Sequence, residues 1–392
     1  MEKQLKILQL TDAYYPSVDG VISVVKNYTE NLNEICECHI AAPKPSKKSK
    51  FKEITAYKIL RCKSTPAPEG YRNAVPYLDK KFLKTIQDAD YDLLHAHTPF
   101  GMGRCAVKLA KRKNIPLVAT LHTQYHRDFE RTLGKHSPLV KFMLKYILKT
   151  YNNADSVWTV SNASKKYLRD YGYTGEIKVI RNATDFVYPE IAPELIKTVN
   201  EKYGLEGQEN LFLFVGRMAL YKNINLILEA VRILKDEGAD FKMVFVGDGF
   251  DLKEIKSNAK KLNILDKCLF TGGIKDRQLL QGFYLRSDLF IFPSTFDMAS
   301  ICKCEAAAHK LASLVVKDSC SAEEVVDGEN GFLCEESAES LASVMLKLIK
   351  EPSLMKTAGE NAYKTLYRTW KDVAKEVKQA YEEIIKEYKE NN

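Results

Sequence analysis

Short runs rich in Val, Ile, Leu and Phe alternate along this chain with longer segments whose apolar residues recur every three to four positions. The first series is LKILQL, CHIAA, AYKIL, DLLHAH, PLVAT, SVWTV and IKVI; the second is LFLFVG, FKMVFVG, KCLFTGG, DLFIFPS, ASLVV and GFLC. Short, nearly all-apolar runs separated by helical patterns predict parallel strands covered on both faces by crossover helices. A polar, less regular stretch at 185–210 divides the two series. The pattern predicts two doubly wound α/β domains in tandem, residues 1–186 and 187–369. The final stretch, TWKDVAKEVKQAYEEIIKEYKE, reads as a charged amphipathic helix with no strand behind it, so residues 370–392 are expected to cross back to the first domain.

Composition narrows the class. With 392 residues, 45% hydrophobic and 28% charged, the chain can fill large cores and is not of disordered type. It contains no run of eighteen apolar residues, and MEKQLKILQLTD enters a strand pattern without the apolar stretch and cleavage site of a signal peptide, which points to a cytoplasmic protein. Nine cysteines occur, but the pairs Cys36/Cys38 and Cys302/Cys304 have C-x-C rather than C-x-x-C spacing, so reduced, mostly buried thiols are expected. The net charge of +8 is uneven: residues 1–187 carry 31 basic against 18 acidic side chains, the remainder 28 against 33. A basic half suits nucleic acid, an anionic membrane or an acidic ligand. No zinc-finger or RNA-recognition motif accompanies the charge, which argues against nucleic acid. Asp88, Asp90 and Asp92 form the Asp-x-Asp pattern that holds a metal in other transferases, but here they precede a buried strand, and no metal site is expected.

In open parallel sheets ligands bind beyond the carboxyl ends of the strands, where glycines admit the backbone and helix N-termini attract anions. TDAYYPSVDGV, FVGRMALYKN and FVGDGF repeat that arrangement. Arg217 follows a buried strand and Lys222 lies five residues on, near the next helix start. Two cations there make a candidate diphosphate clamp. Further on, STFDMASICKCEAAAHK sets two carboxylates, Asp297 and Glu305, eight positions apart just after a strand end.

Together TDAYYPSVDGV, HAHTPFGMG, TLHTQYH, VSNASKKYL, FVGRMALYKN, FVGDG and PSTFDMASICKCEAA followed by SAEEVVDGENGFL resemble, in order and spacing, the retaining glycosyltransferases of family 4. That resemblance implies the GT-B fold, two Rossmann-like domains with an interdomain cleft. Glu305 would hold the ribose of a nucleotide and Asp297 would face the donor sugar. The backbone of Met298, Ala299, Ser300 and Ile301 would face sugar and diphosphate, with Ile274 also on the donor side. Arg217 and Lys222 would take the diphosphate, the loop with Gly20 and Val21 would approach it from the first domain, and His122 would lie beside the reacting sugar carbon. The sequence departs from the family pattern in three places: the first acid is Asp297 where Glu is usual, Asn182-Ala183 stands for Asn-Gly, and His309-Lys310-Leu311-Ala312 stands for Gly-x-Pro. An Asp-centred variant is similar to bacterial enzymes that glucosylate diacylglycerol.

The resemblance implies a metal-independent hexosyl transfer without a protein nucleophile and without a cofactor, from a nucleotide-sugar donor such as UDP-glucose. Residues 136–151, HSPLVKFMLKYILKTY, set Lys141, Lys145 and Lys149 on one helical face among apolar side chains, and KPSKKSKFK and KLAKRKN add charge. This suits an anionic bilayer surface. The expected acceptor is therefore a membrane lipid such as diacylglycerol or glucosyl-diacylglycerol, met at the inner face of the cell membrane. A soluble or polysaccharide-linked acceptor, or a non-catalytic nucleotide-sugar-binding subunit, are the alternatives.

Overall fold

The computed structural model describes residues 4–391 apart from Val18, Lys47, Ile54, Pro68 and Glu69; one lysine of KPSKKSKFK and one residue of TDAYYPSVDGV thus lie outside the described residues. The chain divides into two compact units, Met1–Asn182 with Trp370–Asn392, and Ala183–Thr369. The division falls four residues before 186, and Thr184 pairs with Thr369 within the second unit.

Unit 1 carries strands β1 (Lys6–Leu10), β2 (Glu37–Pro43), β3 (Ile59–Cys62), β4 (Ser64–Pro66), β5 (Arg72–Ala74), β6 (Leu93–Ala96), β7 (Leu117–Leu121), β8 (Ser156–Thr159) and β9 (Lys178–Val179). Its helices are α1 (Gly20–Leu32), α2 (Lys80–Asp88), α3 (Gly101–Lys113), α4 (Tyr125–Leu133), α5 (Pro138–Tyr151) and α6 (Lys165–Asp170). Seven strands form one sheet in the order β3-β2-β1-β6-β7-β8-β9, every pair parallel, while β4 and β5 make a separate antiparallel pair. Several acids at strand starts serve the ladder. Asp92 accepts from the backbone N–H of Lys6 at 2.9 Å, and Asp155 accepts from that of Leu117 at 2.8 Å.

Unit 2 carries α7 (Ala192–Tyr203), β10 (Leu211–Val215), α8 (Ile224–Asp236), β11 (Lys242–Val246), α9 (Leu252–Lys261), β12 (Cys268–Gly272), α10 (Arg277–Arg286), β13 (Leu289–Phe292), α11 (Ile301–Ala308), β14 (Ser313–Val316), β15 (Phe332–Cys334), α12 (Ala338–Lys350) and α13 (Pro352–Thr365). Its six strands run parallel in the order β12-β11-β10-β13-β14-β15. The stretch read as irregular at 185–210 holds α7, a twelve-residue helix that packs on α10. Only Ala192, Leu195 and Val199 of α7 are buried, too sparse an apolar stripe to stand out among its charges.

In both units the strand order steps outward in one direction and then reverses beside the first strand, the doubly wound arrangement. The reversal lies between β1 and β6 in unit 1 and between β10 and β13 in unit 2. Adjacent crossovers leave those strands on opposite faces, so the space beyond their carboxyl ends stays open to ligand.

After Thr369 the chain returns to unit 1 as α14 (Trp370–Asn391), which buries Trp370, Val373, Ala374, Val377, Ala380 and Tyr381 at helical spacing and packs along α1. The sheet face beneath it is unusual. Period-two alternation sets Gln9, His95, His97, Thr120 and His122 on that face of three neighbouring strands and their carboxyl ends. Gln9, His95 and His97 are fully buried, where a parallel strand ordinarily carries Val or Ile. Trp158 stacks on Tyr381 with centroids 5.5 Å apart, and Tyr28 meets Trp370 edge-on at 5.6 Å.

Burial drives the histidines of this face toward the neutral form. His95 and His97 are held well below their ordinary value, and His122 is brought down to about 3. As pH falls below 6.5 the unfolded chain takes up protons that these folded imidazoles refuse, so stability is present above that pH and lost below it, by roughly 1.4 kcal/mol per pH unit for each histidine. Burial raises the carboxyls of Asp12, to about 6, and of Asp155, which opposes the loss at lower pH. Both tryptophans of the chain, Trp158 and Trp370, sit in unit 1, so their fluorescence follows its unfolding. Denaturant unfolding on that signal should show a loss of roughly 3 kcal/mol between pH 7.5 and 5.5. An unchanged midpoint across that range would show that the face is not buried neutral.

Candidate functional site

In unit 2 the chain leaves β10 at Gly216-Arg217-Met218 and passes through a short 3-10 turn, Leu220–Lys222, into α8. The neighbouring loop after β11, Gly247-Asp248-Gly249, runs against it. Gly216 N–H donates to Val246 C=O and Met218 N–H to Asp248 C=O, both at 3.0 Å. A Cβ on Gly247 would stand 1.9 Å from the Gly216 carbonyl oxygen, and one on Gly249 would stand 2.3 Å from that of Met218. These two glycines exist to let backbones touch. Asp251 fixes the turn by accepting from Leu220 N–H at 2.8 Å.

Lys222 and Asp297 meet at the strand-order reversal. The Lys222 ammonium donates to both carboxylate oxygens of Asp297, at 2.7 and 2.8 Å, and Ser294 donates its hydroxyl to the same carboxylate. Lys222 Nζ also lies 5.3 Å from the Phe292 ring centroid. Burial by itself lowers the Lys222 ammonium, but the adjoining Asp297 carboxylate more than offsets this and holds it above its ordinary value. The lysine is therefore a fixed positive charge. Asn223 follows in the left-handed conformation and donates to Pro293 C=O at 3.1 Å and to Glu336 at 2.6 Å, tying the β10 loop to the β13 loop.

Asp297 precedes α11, whose N-cap Ser300 accepts from Lys303 N–H at 3.4 Å. Met298, Ala299 and Ser300 form the approach to the helix and Ile301 is its first residue. Glu305 lies on the second turn and is in a different environment from Asp297. Its side chain is 8% exposed against 25% for Asp297. Tyr284 donates its hydroxyl to Glu305 at 2.7 Å, and Arg277 approaches the other carboxylate oxygen at 3.4 Å. Burial pushes the Glu305 carboxyl up, against the pull of Arg277 and Tyr284.

A second ring of side chains holds these partners. His309 stacks flat on Tyr284 with centroids 5.3 Å apart, and its Nδ1–H donates to the backbone carbonyl of Glu305 at 2.7 Å. Burial lowers the His309 imidazole to about 4, so it is neutral. Arg277 pairs with Asp185 and lies 3.7 Å from the Phe186 ring centroid. None of Tyr284, Arg277, Asp185 and His309 stood out as a site residue in the sequence, because each acts through a partner rather than through a motif. Ile274, half-buried, sits in the loop between β12 and α10. Arg217 leaves the carboxyl end of β10, half-buried, at the same reversal as Lys222.

In unit 1 the corresponding loops follow β1 and β6. Asp19 caps α1, accepting from Ile22 N–H at 2.8 Å while Tyr71 donates its hydroxyl to the other oxygen at 2.8 Å. Gly20 opens the helix with half-buried Val21 next to it. A Cβ on Gly20 would meet nothing within 4 Å, so this glycine relieves no internal contact and leaves open space. Asp12, half-buried, accepts from Met102 N–H at 2.9 Å and from the Thr98 hydroxyl at 2.7 Å. His122 leaves β7, half-buried, with its Nε2 3.0 Å from Nδ1 of His97.

Helix α5 buries Val140, Ile147, Thr150 and Tyr151 and turns other apolar side chains outward. Leu139 is 55% and Phe142 64% exposed, with Lys141, Lys145 and Lys149 exposed around them. Tyr77 and Leu78, in the turn before α2, are exposed as well. Among the described residues no helix is long and apolar enough to cross a membrane, and no group of three or more His, Cys, Asp or Glu is placed to hold a metal ion.

Two doubly wound parallel sheets in one chain are the arrangement of the GT-B fold. The family described as "Glycosyltransferase Family 4" matches residues 18–187, and "Glycosyl transferases group 1" matches residues 196–365. The chain belongs to the family 4 glycosyltransferases. It is similar to an alpha-monoglucosyldiacylglycerol synthase of Streptococcus pneumoniae, 27% identical over 78% of this chain and 69% of the relative. The protein of the same name from Acholeplasma laidlawii is 25% identical over 91% of this chain and 92% of the relative. Among solved structures, Anabaena HepE in complex with UDP and glucose superimposes with a TM-score of 0.76 at 18% identity, covering 96% of this chain and 99% of that one.

The glycine contact between the β10 and β11 loops yields a stability test. Gly247 has φ +148° and its added Cβ overlaps backbone, whereas a Cβ on Gly273 meets Asp248 at ordinary contact distances, 3.5 Å from its Cβ and 4.0 Å from its backbone nitrogen. Gly247→Ala should destabilise the protein by about 3 kcal/mol or more, and Gly273→Ala by less than about 1. Equal thermal midpoints for the two variants, followed by circular dichroism, would contradict the close approach.

Proposed function

We propose that this glycosyltransferase moves a hexose, glucose from UDP-glucose, onto a membrane lipid acceptor such as diacylglycerol or glucosyl-diacylglycerol, with retention of anomeric configuration. The observation that carries the donor half is the Lys222–Asp297 pair at the strand-order reversal. In the absence of donor the two neutralise each other. A diphosphate offers Lys222 a stronger anionic partner, and the sugar's hydroxyls offer Asp297 donors in place of the ammonium. Arg217 joins Lys222 on the diphosphate, the backbone from Met298 to Ile301 faces sugar and diphosphate, and the loop at Ile274 lies on the donor side. Glu305, oriented by Tyr284 and Arg277, keeps free lone pairs for the ribose hydroxyls. In unit 1 the open space over Gly20, beside Val21, and the imidazole of His122 are the groups assigned to the reactants.

No protein nucleophile is needed. The acceptor hydroxyl oxygen forms a bond to the anomeric carbon on the face that the nucleotide leaves, the bond from that carbon to the β-phosphate oxygen breaks, and the hydroxyl proton passes to that departing oxygen. Arg217 and Lys222 offset the charge gathering on the leaving diphosphate, which makes electrostatic stabilisation and positioning the principal catalytic terms. With two cations in that place, turnover without a metal ion follows, and no cofactor enters the step. Names of relatives support the lipid acceptor, since both synthases act in glucosyl-diacylglycerol formation by their names. The outward Leu139 and Phe142 among exposed lysines give the same reading a physical basis, because such a face binds an anionic bilayer at the inner side of the cell membrane.

Division of labour between the acids is testable by titration with UDP. Lys222→Ala and Glu305→Gln should each weaken UDP binding roughly ten- to a hundredfold, the loss of a charge-assisted hydrogen bond. Asp297→Asn should leave UDP binding undiminished, since it frees Lys222, while sugar transfer from UDP-glucose falls. Equal damage to UDP affinity by the Asp297 and Glu305 changes would refute the assignment.

Acceptor class is read from transfer to diacylglycerol in liposomes of graded anionic lipid content, with EDTA present throughout. Changing Lys141, Lys145 and Lys149 together to Gln should weaken liposome binding more than a hundredfold, at about 1 kcal/mol per lysine near the surface. A parent protein that never sediments with anionic liposomes, or that glucosylates only soluble acceptors, returns the assignment to a soluble or polysaccharide-linked acceptor. A parent that binds UDP but neither transfers nor hydrolyses UDP-glucose is a non-catalytic binding subunit.

A further inference from the structure

The polar face under α14 is a continuous hydrogen-bonded chain that ends on His122. Gln9 Nε2 donates to the Tyr381 hydroxyl at 3.3 Å and to Cys38 Sγ at 3.6 Å. The Tyr381 hydroxyl lies 2.6 Å from His95 Nδ1, and His95 Nε2 lies 2.7 Å from the Thr120 hydroxyl. At its other end the Gln9 carbonyl oxygen meets His97 Nε2, and His97 Nδ1 meets His122 Nε2 at 3.0 Å. An apolar set of side chains would fill this interior at no cost in desolvation, whereas buried polar groups are tolerated only when every one finds a partner.

The amide oxygen at one end of this chain settles the proton on His97 and, through it, on His122. An amide oxygen only accepts, so His97 Nε2 carries a proton and donates it to Gln9. His97 is fully buried and neutral, so its Nδ1 is bare and must accept. His122 Nε2 therefore donates, and Nδ1 of His122 is left as a lone pair. We propose that Gln9, His97 and Tyr381 are positioning residues that lock His122 in the Nε2–H tautomer, so that its Nδ1 accepts a hydrogen bond from a hydroxyl of the substrate. The inference rests on the reading of His122 as a substrate-facing residue. Tyr381 belongs to α14, the last helix of the chain, so a segment more than 250 residues away in sequence orients a group in the reaction.

Tautomers are read directly from the imidazole nitrogens of the full chain labelled with 15N-histidine, using long-range proton–nitrogen correlation without substrate. The chain has seven histidines, and the signals of His97 and His122 are identified by His97→Gln and His122→Gln. The expected spectrum shows His122 with Nε2 protonated and Nδ1 bare. In Gln9→Leu and in Tyr381→Phe that signature should average between tautomers, and kcat for transfer should fall ten- to a hundredfold while UDP affinity stays within twofold. Tyr381→Phe removes one hydroxyl and carries the test where Gln9→Leu does not fold. A parent spectrum with the His122 proton on Nδ1, the chain running in the opposite direction, overturns the proposal. So does an unchanged His122 spectrum or an unchanged kcat in the folded variants. If the parent transfers no sugar at all, the assigned reaction fails, and the spectrum still decides the tautomer.

Discussion

A parallel sheet whose strand order reverses once leaves, beyond the carboxyl ends of the two strands at the reversal, a space that no crossover helix can fill. That constraint operates twice in this chain, between β1 and β6 and between β10 and β13. The loops beyond those four strands run from Asp12 to Val21 after β1, from His97 to Gly101 after β6, from Gly216 to Lys222 after β10, and from Pro293 to Ser300 after β13, and most of the proposed site residues lie on them. His122 after β7, Ile274 after β12, and Ile301 and Glu305 on α11 are the proposed site residues outside those loops.

Charge at the second reversal is arranged to be borrowed. Lys222 and Asp297 neutralise each other, and in the proposed reading a diphosphate replaces the carboxylate at Lys222 while neutral sugar hydroxyls replace the ammonium at Asp297. Glu305 is handled differently. It is buried, and Tyr284, Arg277 and the flat stack of His309 on Tyr284 fix its geometry. An exchangeable acid and a preorganised acid, eight residues apart, suit the two roles proposed for them. Preorganisation of this kind lowers the reorganisation needed when ligand arrives.

Unit 1 accepts a less stable interior in order to carry polar groups. Three neutral imidazoles, an amide and a tyrosine hydroxyl occupy a face where branched aliphatic side chains would pack with no dependence on pH. Their mutual satisfaction depends on α14, which supplies the tyrosine and seals the face with Trp370. Loss of the Tyr381 hydroxyl would take one partner from Gln9 Nε2 and the partner of His95 Nδ1, while Gln9 keeps Cys38 and His97 and His95 keeps Thr120, a penalty of about 1–3 kcal/mol for each buried group left unpaired.

Much of the fold is legible in the hydrophobic runs. Parallel strands buried on both faces must be apolar nearly throughout, and so the runs mark the strands of both sheets, and the lone amphipathic pattern at the end marks α14. Helix α7 and the β4–β5 pair escaped, since α7 is held by contact with α10 rather than by an apolar stripe of its own, and three-residue strands have no period to detect. The Thr184–Thr369 pairing near the boundary between the units joins residues far apart in sequence, and no local pattern announces it. In the site, motif spacing singled out Lys222, Asp297 and Glu305, whose types and separations are visible along the chain. It did not reveal that Lys222 and Asp297 hold each other, nor that Tyr284 and Arg277 hold Glu305. The polar residues Gln9, His95 and His97 inside apolar runs were the one visible sign of the buried chain in unit 1. Local sequence determined which segments could become strands and helices and which loops could bind an anion, because those depend on periodicity and residue type. Only tertiary structure decided which nitrogen of His122 holds the proton, because a hydrogen bond has a direction and its partners here come from β1, β6 and the last helix.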